Sequence, residues 1–300
     1  MGKLRRFVQW AFAIATNSYI IGFLKGKIYR GSLKNLCVPG LNCYSCPGAL
    51  FSCPLGGLQG VIGSRQYQFS LFFIGFFMAV GLICGRFVCG FLCPFGLLQE
   101  LIHKIPSKKI GKFKGDMALR YLKYLVLALF VLIFPMFLVD AFGQGEAWFC
   151  KYICPAGTLE GGVLLPLLNQ GLRAAIGALY HWKIGILVVL LVLSVLLYRP
   201  FCKYLCPLGA IYGLFHKLSL VRYRVDREAC VHCGACAKAC PMGVDIEKGA
   251  HLAECVYCGK CKDACKYGAI RLGFGKRPKK SEEKICADFS PKMQESSRKK

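Results

Sequence analysis

The 300-residue chain is 55% hydrophobic and 18% charged. Its mean hydropathy of +0.46 argues against an ordinary soluble domain and predicts a membrane protein with soluble parts. Forty Lys and Arg against fifteen Asp and Glu give a formal net charge of +25, which suits cytoplasmic-leaflet lipid or an acidic partner. Because much of this charge flanks apolar stretches or lies in the tail, we expect no nucleic-acid partner.

Four apolar stretches are predicted to cross a bilayer, and no clean cleavage site follows the first, so we expect it to be retained. Between the third and fourth lies "GTLEGGVLLPLLNQGLRAAIGALYHW", which polar residues interrupt. We expect that segment to be an interfacial or re-entrant helix. The four predicted spans are Phe7–Leu24, Phe69–Ile83, Tyr121–Val139 and Ile184–Tyr198.

The placement of Lys and Arg predicts the orientation of these spans. Eight lie in Arg86–Lys123, two in Ala141–Trp182 and twenty-one after Tyr198, so we expect both termini to be cytoplasmic. The loop Lys25–Gln66 carries five basic residues and no acidic ones, which fits an outside loop poorly.

Two copies of C-x2-C-x2-C-x3-C lie near the C-terminus, in "CVHCGACAKACP" and "CVYCGKCKDACK". The pattern resembles the bacterial two-cluster ferredoxin, in which the fourth cysteine of each copy ligates the other cluster. That resemblance implies one [4Fe–4S] cluster on Cys230, Cys233, Cys236 and Cys265, and another on Cys255, Cys258, Cys261 and Cys240. A zinc site or disulfides are the alternative. Lys266 replaces the proline expected after the second copy.

A second motif, C-x3-C-P, follows three of the predicted spans, and a degenerate copy at Cys53 follows the first. The residues after the proline also match, as "PLGGLQ", "PFGLLQ", "PAGTLE" and "PLGAIY", so the unit is an internal repeat. Proline suits the first turn of a helix, which places the preceding cysteine at a positive helix end that favours thiolate and anionic clusters. The complete copies are Cys89/Cys93, Cys150/Cys154 and Cys202/Cys206.

Alternating spans would bring together motifs that are two spans apart. An inner set of Cys89, Cys93, Cys202 and Cys206 is predicted to hold a third [4Fe–4S] cluster. On the outer side, Cys150 and Cys154 would pair with two of the four N-terminal cysteines, either in a fourth cluster or in disulfides. Cys46 and Cys53 are the first choice for this pairing, and Cys37 and Cys43 are further candidates.

The "CGFLCP" and "CKYLCP" motifs, spans two to four and the double ferredoxin motif resemble the membrane polyferredoxins over about residues 67–270. The resemblance implies a multi-pass protein of a prokaryotic cell membrane. We expect an all-α membrane domain of about four helices over 1–220, a small α+β ferredoxin domain over 221–275, and a disordered basic tail over 276–300. The cysteines Cys37, Cys43, Cys46, Cys53, Cys150 and Cys154 depart from those relatives.

These features predict an electron-transfer protein that works between a cytoplasmic donor, such as a ferredoxin or a flavoprotein, and an acceptor. That acceptor would be an extracytoplasmic flavoprotein or metalloenzyme, or a quinone. A quinol dehydrogenase, a metal-ion reductase and a redox-sensing membrane regulator are the alternatives. No C-x-x-C-H, Rossmann or P-loop pattern occurs, so haem attachment and nucleotide binding are not indicated.

Overall fold

The computed structural model describes residues 2–64, 67–111, 115–140, 144–173, 176–249 and 251–274. The predicted tail, 276–300, lies outside these residues. The described fold is mostly helical, with one small two-stranded sheet, as the sequence predicts. Its α-helices are α1 Gly2–Thr16, α2 Ile20–Lys25, α3 Pro54–Ser64, α4 Tyr67–Ile83, α5 Phe87–Phe91, α6 Pro94–Ile102, α7 Asp116–Val126, α8 Phe134–Phe137, α9 Pro155–Gly157, α10 Leu164–Leu168, α11 Gln170–Arg173, α12 Ala178–Leu196, α13 Pro200–Tyr204, α14 Pro207–Leu214, α15 Ala235–Ala239 and α16 Lys260–Ala264.

The first apolar stretch is not one continuous helix. Helix α1 ends at Thr16, where the predicted span Phe7–Leu24 would continue. The Thr16 hydroxyl donates to the Phe12 carbonyl at 2.8 Å, and the Asn17 amide donates to the Ala13 carbonyl at 3.0 Å. Such local side-chain bonds to the backbone compete with helix propagation, and the chain breaks before α2 begins at Ile20.

Two helical segments have the length and apolar character of membrane spans. One is Asp116–Phe137, in which a π-helical turn, Leu127–Ile133, joins α7 to α8. The other is α12, Ala178–Leu196. In the third apolar helix, α4, the apolar segment Leu71–Ile83 is shorter. The count of four spans therefore remains a prediction.

The cysteine motifs begin short helices, as their prolines predict. Helices α3, α6, α9 and α14 each start at the proline that follows the second cysteine of a motif. The Cys154 and Cys206 sulfurs cap their helices, each accepting a backbone N–H at 3.4 Å, from Gly157 and Gly209. The predicted interfacial segment after motif three is a broken run of short helices, Thr158–Val163, α10 and α11.

The C-terminal cysteine-rich module is closed by its own sheet. Strand β1, Val221–Val225, pairs antiparallel with β2, Ile270–Phe274, so the two ends of the module lie side by side. Between them, α15 packs against α16. The module also contacts the helical domain, where the ring of Phe87 lies 6.1 Å from that of Tyr257.

Candidate iron–sulfur sites

The fourth cysteine of each ferredoxin motif lies close to the first three cysteines of the other motif. A pocket beside β2 is lined by Cys230, Cys233, Cys236 and Cys265, and Cys233 is exposed. We call this the distal set. In the proximal set, Cys240 lies close enough to Cys255, Cys258 and Cys261 for their charges to interact. The structure thus brings together both groups of four that the ferredoxin resemblance implies.

The two ferredoxin loops repeat an uncommon backbone conformation. His232 and Tyr257, each directly before the second cysteine of its motif, have φ values of +53°. Gly234 and Gly259, directly after that cysteine, have φ values of +67° and +86°. Non-glycine residues rarely adopt positive φ, and left-handed residues that alternate with others in a tight loop can turn successive backbone N–H groups toward one concave side. This geometry fits the sulfurs of an anionic cluster.

The inner set, Cys89, Cys93, Cys202 and Cys206, is buried where helices α5, α6, α13 and α14 meet. Cys206 interacts electrostatically with the other three. The Gln99 side-chain amide donates to the Cys202 sulfur at 3.2 Å, and the backbone of Gly40 packs against that of Cys93. The four predicted inner cysteines are therefore neighbours.

The outer set differs from the first choice made on sequence. Cys43, Cys53, Cys150 and Cys154 line one cavity of about 570 Å³, and Cys37 also lies on its wall. We use "outer set" for the first four. Cys46 does not line this cavity, and its sulfur lies 3.7 Å from the side-chain oxygen of Asn17. Every cysteine that the structure describes is a free thiol.

The buried thiols of these sets favour a metal-bound form. Burial raises the pKa of the Cys150 thiol to about 12, and it raises the pKa of the Cys43 thiol to about 12 as well. A bare thiolate would thus be unfavourable there, whereas a bound iron keeps a coordinating thiol deprotonated.

Three buried carboxylates supply charge around these sites. Each contacts two cations, so each group carries a surplus of one positive charge. Leaving such charge uncompensated in a protein interior is costly, and an anionic iron–sulfur cluster would balance it. The groups are Glu254 with Arg86 and Lys123, Glu100 with Arg5 and Arg199, and Asp116 with Arg120 and Lys203.

Glu254 also holds the ferredoxin module against the helical domain. Its carboxylate accepts from Arg86 at 2.7 Å, and Lys123 is its second partner. Burial opposes ionisation of this carboxyl, but the two cations outweigh burial and lower the pKa of Glu254 to about 2. The Arg86 guanidinium also donates to the Ala253 carbonyl at 2.8 Å and faces Cys89. One arginine therefore links the module to the inner set.

The inner and outer sets are adjacent. The backbone of Gly40 packs against that of Cys93 of the inner set, and the next two residues, Leu41 and Asn42, line the cavity of the outer set beside Cys53. Consecutive Cα atoms are only about 3.8 Å apart, whereas a bilayer core is about 30 Å thick. The two sets therefore lie closer together than the thickness of a bilayer core, because the loop after Cys37 contacts both of them, and their placement toward opposite faces of a membrane stays a prediction.

Sequence reasoning missed two glutamines at these sites, Gln59 and Gln99. Each ends the repeated tail of a motif, "PLGGLQ" or "PFGLLQ". Gln59 donates to the Cys150 sulfur at 3.3 Å, as Gln99 does to Cys202. The glutamine repeated at the same position of two motifs was a visible signal. The cysteine partners, however, are 91 and 103 residues away in the sequence, and only the fold identifies them.

Comparison with known proteins supports the prediction that the cysteine motifs bind [4Fe–4S] clusters. A 4Fe-4S binding domain family matches residues 67–112, 124–167 and 180–225, each of which contains one C-x3-C-P motif. A 4Fe-4S dicluster domain family matches residues 215–276. No solved structure matches the chain.

Several curated proteins are similar to this chain. YccM of Escherichia coli strain K12, named as an electron transport protein, is 29% identical over 57% of this chain and 46% of its own length. An uncharacterized protein of Methanocaldococcus jannaschii is 29% identical over 68% of this chain and 71% of its own length. The methylamine utilization ferredoxin-type protein MauN of Paracoccus denitrificans is 32% identical over 55% of this chain and 50% of its own length.

The chain thus spans about half the length of YccM and MauN. The residues that the two domain families match hold the cysteine motifs that carry the resemblance to membrane polyferredoxins. The chain contains 4Fe-4S ferredoxin-type domains, and it is similar to proteins named as an electron transport protein and as a ferredoxin-type protein.

Proposed function

We propose that this protein carries electrons through a membrane-bound chain of four [4Fe–4S] clusters, in the order distal, proximal, inner and outer set. Contact between consecutive sets supports this order. The backbone of Gly90, next to Cys89 of the inner set, packs against Val256, next to Cys255 of the proximal set. Gly40 packs against Cys93 of the inner set, and Leu41 and Asn42 line the cavity of the outer set. Helix α15, which carries Cys236 of the distal set, packs against α16, which carries Cys261 of the proximal set. This unbroken series of contacts is the observation that carries the proposal.

A cluster in each set would supply one-electron transfer, and the protein would hold, bury and polarise it. At the distal set, Cys233 is exposed, which suits exchange with a soluble cytoplasmic donor such as a ferredoxin or flavoprotein. At the outer set, Lys34 and Lys183 line the same cavity as the cysteines. We propose that an extracytoplasmic redox protein or a quinone exchanges electrons there.

Exposed apolar side chains support a membrane location. On α7 to α8, Tyr121 is 70% exposed and Phe137 is 72% exposed, and on α12 three valines are more than half exposed. A soluble protein rarely exposes so much contiguous apolar surface, because water contact is unfavourable. We propose that these helices face lipid in a prokaryotic cell membrane, with both termini on the cytoplasmic side.

Iron and acid-labile sulfide analysis of protein purified without oxygen tests the cluster count. Four clusters give about 16 irons per chain, while the ferredoxin module alone gives about 8. Replacing Cys202 by Ala should lower the count by about 4. Cys84, which no set includes, provides the matched control, and Cys84→Ala should keep the full count. A parent protein with about 8 irons would contradict the proposal.

A further inference from the structure

Two glutamines hold the same position in two different motifs. Gln59 follows Cys53 by six residues, and Gln99 follows Cys93 by six residues. Both side chains are buried, with exposed fractions of 0% and 1%. Fully buried amides are costly unless each of their polar atoms has a partner, so the bonds that they make define what they do.

Each glutamine makes the same pair of bonds to a later motif, which is Cys150/Cys154 for Gln59 and Cys202/Cys206 for Gln99. The Gln59 oxygen accepts the Phe149 backbone N–H at 3.0 Å, and the Gln99 oxygen accepts the Phe201 N–H at 3.2 Å. Because the oxygen of each amide is bound in this way, its nitrogen must face the other direction. That nitrogen lies 3.3 Å from the Cys150 sulfur in one case and 3.2 Å from the Cys202 sulfur in the other.

The remaining amide hydrogen is also used. Gln59 donates to the Leu55 carbonyl at 3.3 Å, and Gln99 donates to the Phe95 carbonyl at 3.5 Å, four residues earlier on each helix. Each glutamine therefore has one donor directed to its own helix and one directed to a cysteine sulfur. This leaves no freedom to turn the amide without losing several bonds.

The other two motifs carry different residues at this position. Glu160 accepts the Cys43 backbone N–H at 2.7 Å, and the Tyr212 hydroxyl donates to the Pro39 carbonyl at 2.9 Å. Neither of these bonds donates to a cysteine sulfur. In the part of the chain that the structure describes, the outer and inner sets thus each receive one side-chain amide donor, directed to the first cysteine of the partner motif.

We propose that Gln59 sets the reduction potential of the outer cluster and that Gln99 sets that of the inner cluster. This inference rests on the proposed function. An electron added to a cluster raises the negative charge on its cysteine sulfurs. An N–H directed at such a sulfur stabilises the reduced form more than the oxidised form, so it raises the reduction potential. Both glutamines are positioning residues that act through a cysteine ligand.

Redox titration of the full-length, cluster-loaded protein, followed by electron paramagnetic resonance, tests the inference. Gln99→Leu should make one midpoint potential more negative, with a change of about tenfold in the oxidised-to-reduced ratio, or about 59 mV for one electron. Gln59→Leu should shift a different cluster by a similar amount. The two ferredoxin clusters should stay unchanged in both variants.

A second substitution separates the two bonds of each amide. Gln99→Glu keeps an oxygen to accept the Phe201 N–H but removes the amide donor to Cys202. Motif three already carries a glutamate at this position. If the donor sets the potential, Gln99→Glu should retain full iron and shift the same midpoint to more negative values.

The outcomes distinguish this inference from the proposed function. If the parent holds only about 8 irons, the proposed function fails and the inference fails with it. If the parent holds about 16 irons and Gln59→Leu and Gln99→Leu retain them with unchanged midpoints, the inference alone is overturned. A second pair of results would also overturn the inference. In it, the leucine variants lose iron, whereas Gln99→Glu keeps the full iron count with an unchanged midpoint potential. The glutamine side chain would then have only a structural role.

Discussion

The ferredoxin module and the helical domain bring four cysteines together in different ways. In the module, three ligands of each set come from one short loop, and the distal set reaches the surface at Cys233. In the helical domain, each set needs segments about 100 residues apart, and the inner cysteines are all buried. A cluster site in a single loop can thus be recognised from the spacing of its cysteines in the sequence. A site between helices forms only when distant segments pack together and their buried charges are compensated.

Cysteine substitutions should have the largest effect, a loss of a whole cluster, because each cluster needs four ligands. Cys43→Ala should lower the iron content by about 4 per chain if Cys43 completes the outer set. Cys46→Ala should leave it unchanged, since the Cys46 sulfur faces Asn17 instead. Iron analysis of both variants decides between them. A loss in Cys46→Ala alone would restore the pairing that the sequence suggested first.

Gly90→Ala should disturb the contact between the two regions. A Cβ at position 90 would collide with the Val256 backbone carbonyl, which cannot move as a flexible side chain could. We expect a loss of about 1–3 kcal/mol in the free energy of unfolding and faster proteolysis between the regions. Gly75→Ala, where an added Cβ meets no atom within 4 Å, is the control. Equal proteolysis rates in both variants would contradict the close packing.

Glu254→Gln should weaken the same contact through charge. The substitution leaves Arg86 and Lys123 without their carboxylate, and breaking a buried ion pair costs about 3–5 kcal/mol. Because the surplus charge faces an anionic cluster, we expect the lower end of that range. Thermal unfolding measures the loss, and Glu146→Gln, at the partly exposed ion pair with Lys151, is the control.

The effect of Glu254→Gln should also depend on pH. The pKa of Glu254 is lowered from 4.5 to about 2, so its stabilising contribution is fully present above pH 4.5. That contribution is lost as the pH falls toward 2. The difference in unfolding free energy between the parent and Glu254→Gln should therefore shrink over this range, and a constant difference would exclude the carboxylate as its cause.

Tyr212→Phe should have the smallest effect of the series. It removes one hydrogen bond, from the Tyr212 hydroxyl to the Pro39 carbonyl in the loop that separates the inner and outer sets. We expect a cost of about 0.5–1.5 kcal/mol with all clusters retained. Tyr121→Phe, at a 70% exposed side chain, should cost less. A thermal unfolding midpoint equal in both variants would show that this loop needs no such anchor.

The local features of the chain could be predicted from the sequence. The proline of each motif starts a helix, because its missing N–H costs nothing in the first turn. The ferredoxin loops follow from their spacing. The grouping of the inner cysteines was also predicted, from motifs on alternate predicted spans, and the structure places these four cysteines close together.

The distant contacts could not be predicted. The choice of Cys43 over Cys46 depends on how the loop after Cys37 folds, and four cysteines within 17 residues give no periodicity to decide it. The break after Thr16 arises from two side-chain bonds that hydropathy ignores. The adjacency of the inner and outer sets depends on a loop that returns between helices.

Electron paramagnetic resonance of the fully reduced protein tests the central claim, that the four sets form one continuous path. The loop residues Gly40 to Asn42 contact both the inner and the outer set, so two reduced clusters at these sets should broaden each other's signals. We predict that the inner-cluster signal is broadened in the parent and becomes sharper in Cys150→Ala, which lacks the outer cluster. Identical inner-cluster signals in both proteins, with about 16 irons in the parent and about 12 in the variant, would contradict the account.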